Sequence, residues 1–178
     1  FFANKGQLIS GPFPPSSWAY NIDVKPYEFS SDRARALLQR AGLRDVDGDR
    51  FFEDKSGEPL KLQFVVPMTG EGDAIKRLSL ALQGYLKKVG IRCELKFLDW
   101  ITWKKKVLEK RDYDLTIASW SFDDASNITS LFHSSSVGAW GNNFVQYQNP
   151  EVDTLLTAAQ ASNDFDKRRA IYHRLHAV

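Results

Sequence analysis

The stretch that decides the fold is LKLQFVVPMTGEGDAIKRLSLALQGYLKKVGIRCELKFLDW, Leu60 to Trp100. Its first eight residues, LKLQFVVP, read as a strand, with Leu60, Leu62, Phe64, Val65 and Val66 apolar. EGDAIKRLSLALQGYLKKVG then places Ile75, Leu78, Leu82, Leu86 and Val89 on one side of a helix. In IRCELKFLDW, Ile91, Cys93, Leu95 and Phe97 alternate with polar residues, the period-2 signature of a second strand.

Downstream the same alternation continues. A helix follows Asp99, with Trp100, Trp103, Val107 and Leu108 expected inward, and DLTIASW reads as a third strand. Strand, helix, strand, helix, strand predicts an α/β fold, mainly a parallel sheet flanked by helices. In such sheets ligands bind beyond the carboxyl ends of the strands, where strand order reverses. Trp120 ends the third strand and Asp123 and Asp124 follow it, so they are the candidate ligand-binding residues. Adjacent aspartates make a poor acid–base pair, because such pairs face each other across a substrate from separate elements. A cap or turn before the next helix is the competing role for them.

Upstream, SSDRARALLQRAG is a punctuated helix: Ser30 or Ser31 caps it, Ala34, Leu37, Leu38 and Ala41 share a face, and Gly42 ends it. RDVDGDRFFEDKSGEP resembles a calcium loop from Asp45, but Arg50 replaces the glycine at the sharp turn and Ser56 the bidentate glutamate. A polar loop with Asp-Gly and Ser-Gly turns is expected instead. Residues 1–29 are rich in Gly and Pro and read as an extended lead-in, pinned to a folded body by Phe13, Trp18, Tyr20 and Tyr27. After the third strand come a short helix near Asn127–Phe132, a polar stretch to Asn149, and two closing helices. The first of these buries Val152, Leu155, Leu156 and Ala159, with Pro150 at its first position; the second buries Ile171, Leu175 and Val178.

Composition narrows the function. The 178 residues carry 24 basic and 22 acidic side chains, a net charge of +2, which gives no basic face for nucleic acid. The run Lys104-Lys105-Lys106 reads as the solvated side of a helix. Cys93 is the single cysteine and is expected to be a small buried hydrophobe. No apolar run approaches the ~20 residues that span a bilayer. The chain has no initiator methionine and reads as cut from a longer protein, so the absence of a visible signal peptide excludes nothing. Ser134, Ser135 and Ser136 lack the strained elbow of a serine nucleophile, and His173 and His176 lack further metal ligands. No phosphate-binding glycine motif occurs. No metal, cofactor or catalytic residue is therefore assigned.

Ordered blocks of the chain resemble the extracellular solute-binding proteins, family 5, that serve peptide and nickel ABC transporters, in their C-terminal lobe. The blocks are GPFPPSSWAYN, SSDRARALLQRAGLRDVDGDRFFEDKSGEPLKLQFVV, ALQGYLKKVGIRCELKFLDW, DYDLTIASW, NNFVQYQNPEVDTLL and DKRRAIYHRLH. This resemblance implies one lobe, residues 1–178, of a type II periplasmic-binding-protein fold. Within it, 1–29 form the lead-in, 30–126 the βαβαβ core and 127–178 a helical C-terminal part. It also implies a non-enzymatic, substrate-binding component of an ABC importer, holding an oligopeptide or other small solute in an interlobe cleft. The partners implied are that solute and the ABC transporter permease subunits, with contact to the membrane only peripheral. The location implied is periplasmic or extracellular, with a lipid anchor as one means of attachment. The tryptophan ending the third strand would line the pocket, and the acid three residues on would pair with a peptide's amino terminus: Trp120 and Asp123. Ser126 and Asn127 stand where many peptide binders carry Asp-Pro, so Asp124 stays a second candidate for that amine. An effector-sensing lobe of a transcription regulator and a secreted hydrolase are the alternative functions.

Overall fold

Strand β1, Lys61–Met68, lies at the centre of a three-stranded sheet in a computed structural model that describes residues 6–68, 72–119, 127–138 and 141–178. Its parallel neighbours are β2, Arg92–Asp99, and β3, Leu115–Thr116, in the order β2-β1-β3. The β1/β2 ladder runs in register from Lys61–Arg92 to Met68–Asp99. Phe64, Val65, Val66 and Pro67 are buried in succession, as a strand covered on both faces requires. The parallel α/β sheet expected from the alternation is present.

The described residues fall into two compact units, one within 29–118 and the other within 6–28 and 119–178. Helix α1 of the first unit, Ser31–Arg40, begins where the Ser30 hydroxyl accepts the Arg33 N–H at 3.1 Å. It ends at Gly42, whose φ of +93° lets the Leu43 and Gly42 amides cap the Leu38 and Gln39 carbonyls. None of its residues is buried, and Leu37, expected on the inner face, is exposed.

Helix α2, Gly72–Lys88, connects β1 to β2. Ser79 is fully buried in it while Leu82, expected inward, is exposed. The inner face is turned from the one read off the leucines, and its polar members are satisfied. The Ser79 hydroxyl donates to the Ile75 carbonyl at 2.8 Å, and the Gln83 amide donates to the Cys93 carbonyl of β2 at 2.8 Å. Cys93 itself is only partly buried, short of the buried position expected; that partial burial still raises its thiol pKa.

Helix α3, Trp100–Lys104, is capped by Asp99 and runs into a π-helical turn, Lys105–Glu109, in which the Lys110 amide reaches back to the Lys105 carbonyl. Trp103 and Val107 are buried, as expected; Trp100 is not. β3 is shorter than the DLTIASW strand expected, because only Leu115 and Thr116 pair with β1. Side chains take over the alignment beside them: Asp114 accepts the Gln63 amide at 2.7 Å, and the Thr116 hydroxyl donates to the Val65 carbonyl at 2.8 Å.

The second unit is built on helices. Short α4, Thr129–Phe132, and a 3₁₀ turn at Ser134–Val137 precede α5, Pro150–Ala161, and α6, Phe165–Ala177. Fully buried Asn143 organises the polar stretch between: it donates to the His133 and Tyr147 carbonyls and accepts the Tyr147 amide. Asn149 caps α5, and all four residues expected in its core are buried. α6 buries Tyr172, Leu175 and His176 instead of Ile171 and Val178. Its inner face turns because the lead-in packs there, with Phe13 edge-on to Tyr172 at 5.5 Å and Trp18 edge-on to the same ring at 5.1 Å. Tyr27, expected to help pin this segment, is 93% exposed.

Candidate ligand-binding edge of the sheet

The order β2-β1-β3 places the reversal of strand order between β1 and β3: the chain moves from β1 to one side, then crosses back to the other. In open α/β sheets the crevice outside the carboxyl ends of the strands at such a reversal receives the ligand. Here those ends are Met68 of β1 and the segment following Thr116 of β3. Trp120, Asp123 and Asp124, the sequence-derived candidates, come next in the chain and lie outside the described residues.

What the described residues show at this edge is the platform. Met68 is exposed, and Asp99, in register with it, ends β2 and caps α3 by accepting the Thr102 amide at 3.0 Å. Hydrogen bonds from Thr102, from its side chain first and its backbone second, hold the Asp99 carboxyl below the usual aspartate range. Asp99 is thus a fixed negative charge at neutral pH. Next to it stands Trp100, 53% exposed, stacked on Trp103 at 4.9 Å between ring centroids and 16° between planes. Trp103 is 2% exposed and anchored: its indole N–H donates to the Thr116 hydroxyl at 2.9 Å. An exposed aromatic face backed by a rigid one is a surface on which flat or apolar ligand groups stack.

Reading the helix pattern alone puts Trp100 in the core. The signal pointing the other way is its position directly after the Asp99 cap, at a strand's carboxyl end and not on a helix flank.

The other sequence candidates sort plainly. Asp45, Asp47 and Asp49 do bring carboxylate oxygens within 4.8 Å of one another. Those groups are engaged by the loop: Asp45 accepts the Gly48 and Arg50 amides, Asp47 the Asp49 amide, and Asp49 pairs with Arg92. Arg50 adopts φ +76°, so the sharp turn that glycine usually makes is made by arginine.

His133, Ser134, Ser135 and Asp153 bring together the atoms of a hydrolase triad, but not its arrangement. The Ser135 hydroxyl lies 2.8 Å from His133 Nδ1, and the Asp153 carboxylate 3.8 Å from the same nitrogen. A serine relay needs nucleophile and acid on opposite ring nitrogens. Asp153 instead accepts the backbone and hydroxyl of Ser134, and the hydroxyl is the main cause that lowers its pKa.

His173 and His176 also have structural partners, Trp18 O for the first and Ser10 and Asn21 for the second. Among the described residues no helix is long and apolar enough to cross a membrane.

Comparison with known proteins gives a consistent result. The family profile described as "Bacterial extracellular solute-binding proteins, family 5 Middle" matches residues 1–142. The oligopeptide-binding protein AppA of Bacillus subtilis is 29% identical over 96% of this chain, which covers 31% of that protein. The structure of AppA in complex with a nonapeptide superposes with a TM-score of 0.86 at 25% identity, over 96% of this chain and 34% of the other. A mannohexaose-bound periplasmic oligopeptide-binding protein of Thermotoga maritima gives a TM-score of 0.77 at 28% identity, over 93% of this chain and 32% of the other. The chain thus spans about a third of the length of these relatives, all of which are named for binding.

Proposed function

Because the chain belongs to family 5 of the bacterial extracellular solute-binding proteins, we propose that it is one lobe of the substrate-binding component of an ABC importer, which captures a peptide or similar small solute. The protein works outside the cytoplasm, in the periplasm or held at the membrane surface by a lipid anchor, and delivers its cargo to permease subunits. It binds and releases; it breaks no bond in the cargo. The observation that carries this reading is the strand order: β3 lies beside β1 where the order reverses, and the chain continues from β3 directly into Trp120–Asp124.

In this reading Trp120 forms a wall of the cleft and Asp123 receives the ligand's ammonium, with Asp124 the alternative. Enclosing a carboxylate with an ammonium demands that both be present, since either charge left alone in a closed cleft costs several kcal/mol. The amine and the peptide backbone are common to all peptides, so such a clamp holds cargo while leaving side chains free to vary. Trp100 and Met68, exposed at the carboxyl ends of β2 and β1, offer apolar surface suited to such variable groups. The second lobe completes the enclosure, because a half-cleft leaves the ligand in water and its polar contacts weak.

The test is to purify the full-length protein, extract what it carries under denaturing conditions and identify it by mass spectrometry. Peptides with free amino termini are expected, unshortened after prolonged incubation with the protein. Recovery of only sugars or metal chelates would overturn the peptide assignment, and progressive shortening would overturn the non-catalytic one.

A further inference from the structure

In the second unit, one of the points at which the lead-in is fastened to α6 is an imidazole. His176 is 7% exposed, and both its ring nitrogens are used. The Asn21 backbone N–H donates to Nδ1 at 2.9 Å, so Nδ1 must be unprotonated. The proton then sits on Nε2 and is donated to the Ser10 hydroxyl at 3.0 Å, which in turn donates to the Tyr20 hydroxyl at 3.1 Å. The chain of donors has one direction only, and it is complete with a neutral ring.

Sterics close the same site. A Cβ at Gly11 would lie 2.5 Å from the ring's Cδ2 and Nε2, so the imidazole lies against bare backbone. Phe13 meets the ring edge-on at 6.1 Å and Tyr20 at 4.8 Å. One turn back, the Asn21 side chain donates to the His173 carbonyl at 3.1 Å and His173 Nε2 lies 3.2 Å from the Trp18 carbonyl. The lead-in thus meets α6 at three successive points, of which only His176 depends on an unprotonated nitrogen accepting a backbone amide.

We propose that His176 is a proton-operated latch: its neutral ring holds residues 10–21 against α6, and its protonation releases them. An imidazolium has no lone pair for the Asn21 N–H, and two N–H groups would then face each other in an apolar enclosure. The titratable groups facing the ring are Tyr20 from the lead-in and His173 from its own helix; among the described residues no carboxylate lies within ion-pair distance of it. Among the described residues no counter-charge at the site therefore compensates the imidazolium. Burial is the main cause that pushes its pKa down; the Ser10 backbone opposes it, and the neighbouring His173 adds a smaller downward push.

The sign follows from linkage. Opening frees the ring to bind a proton at its ordinary value near 6.5, whereas the closed ring resists. Closure is therefore favoured above that pH, and the open fraction rises by up to about tenfold for each pH unit below it until the closed ring also protonates. The inference concerns the second unit alone and stands apart from the ligand assignment.

The experiment is hydrogen exchange of the Asn21 amide in the full-length protein at pH 7.5 and 5.5, corrected for intrinsic exchange, with His176 followed by NMR titration. Loss of protection at pH 5.5 approaching about tenfold, with no comparable loss at amides in α5, is expected. In His176→Gln, whose amide offers a pH-independent acceptor and donor, the Asn21 protection factor should be equal at the two pH values. Wild-type protection that is unchanged between the two pH values, or a His176 titration at or above the ordinary value, overturns the latch. Both readings come from the wild-type protein, so a poorly folded variant does not remove the test.

Discussion

A double-mutant cycle on Trp103 and Thr116 tests how β3 is held to the sheet. β3 contributes two residues to the ladder, so the chain Trp103 Nε1–H to Thr116 Oγ1 at 2.9 Å and Thr116 Oγ1–H to Val65 O at 2.8 Å carries much of its alignment. Trp103→Phe removes the indole donor and part of a side chain that is 2% exposed. One hydrogen bond at about 1 kcal/mol and a partly collapsed cavity of similar cost give a loss of about 2 kcal/mol. Thr116→Val keeps the shape but leaves the buried indole N–H and the Val65 carbonyl short of a partner, costing about 2 kcal/mol. In the double variant no indole N–H remains to be stranded. Its total loss should therefore fall about 1 kcal/mol below the sum of the singles. Urea unfolding followed by far-ultraviolet circular dichroism measures all four proteins without relying on tryptophan emission. Additivity within about 0.3 kcal/mol would refute the reasoning, because residues with no shared partner add to that tolerance.

Three further outcomes follow from single side chains. Trp100→Ala should weaken peptide binding by the full-length protein roughly 3- to 10-fold in calorimetry, the worth of one aromatic stack, and lower stability by about 1 kcal/mol through loss of its own stack on Trp103; unchanged affinity would remove this edge from the cleft. Gly11→Ala should lower the thermal midpoint of the second unit, since the new methyl would sit 2.5 Å from the His176 ring and cost about 1–3 kcal/mol of overpacking; an unaltered midpoint in calorimetry would contradict that packing. Arg50→Gly should stabilise the first unit by up to about 1 kcal/mol in urea, because φ +76° strains an L side chain more than glycine's extra entropy costs; destabilisation would mean the arginine side chain contributes contacts that outweigh the strain.

Much of the fold is legible in the sequence because local signals agree with the tertiary arrangement. The β1 run, the alternation of β2 and the cap residues Ser30, Asp99 and Asn149 each point to the element that forms. What periodicity misreads is which residues within an element face inward. Ser79 replaces Leu82 at the buried position of α2 because a serine can return its hydroxyl to the Ile75 carbonyl, which a hydrophobicity pattern ignores. Tyr172 and His176 replace Ile171 and Val178 in α6 because the lead-in arrives from more than 150 positions away, as the Asn21–His176 bond shows. Trp100 and Trp103 have the same composition signal and stand three positions apart, yet the first is sheet-edge surface and the second is core. For the proposed site, chain order after the third strand nominates Trp120, Asp123 and Asp124, which lie outside the described residues, whereas Trp100 is nominated by its exposure in the structure.

The most direct measurement is calorimetry of the full-length protein with one peptide in free and N-acetylated form, in wild type and in Asp123→Ala. An amine held by Asp123 predicts that acetylation weakens binding to wild type by a hundredfold or more, about 3 kcal/mol for a buried charge pair broken from one side, and makes little further difference to the variant. Equal affinity of wild type for the two forms would contradict the account.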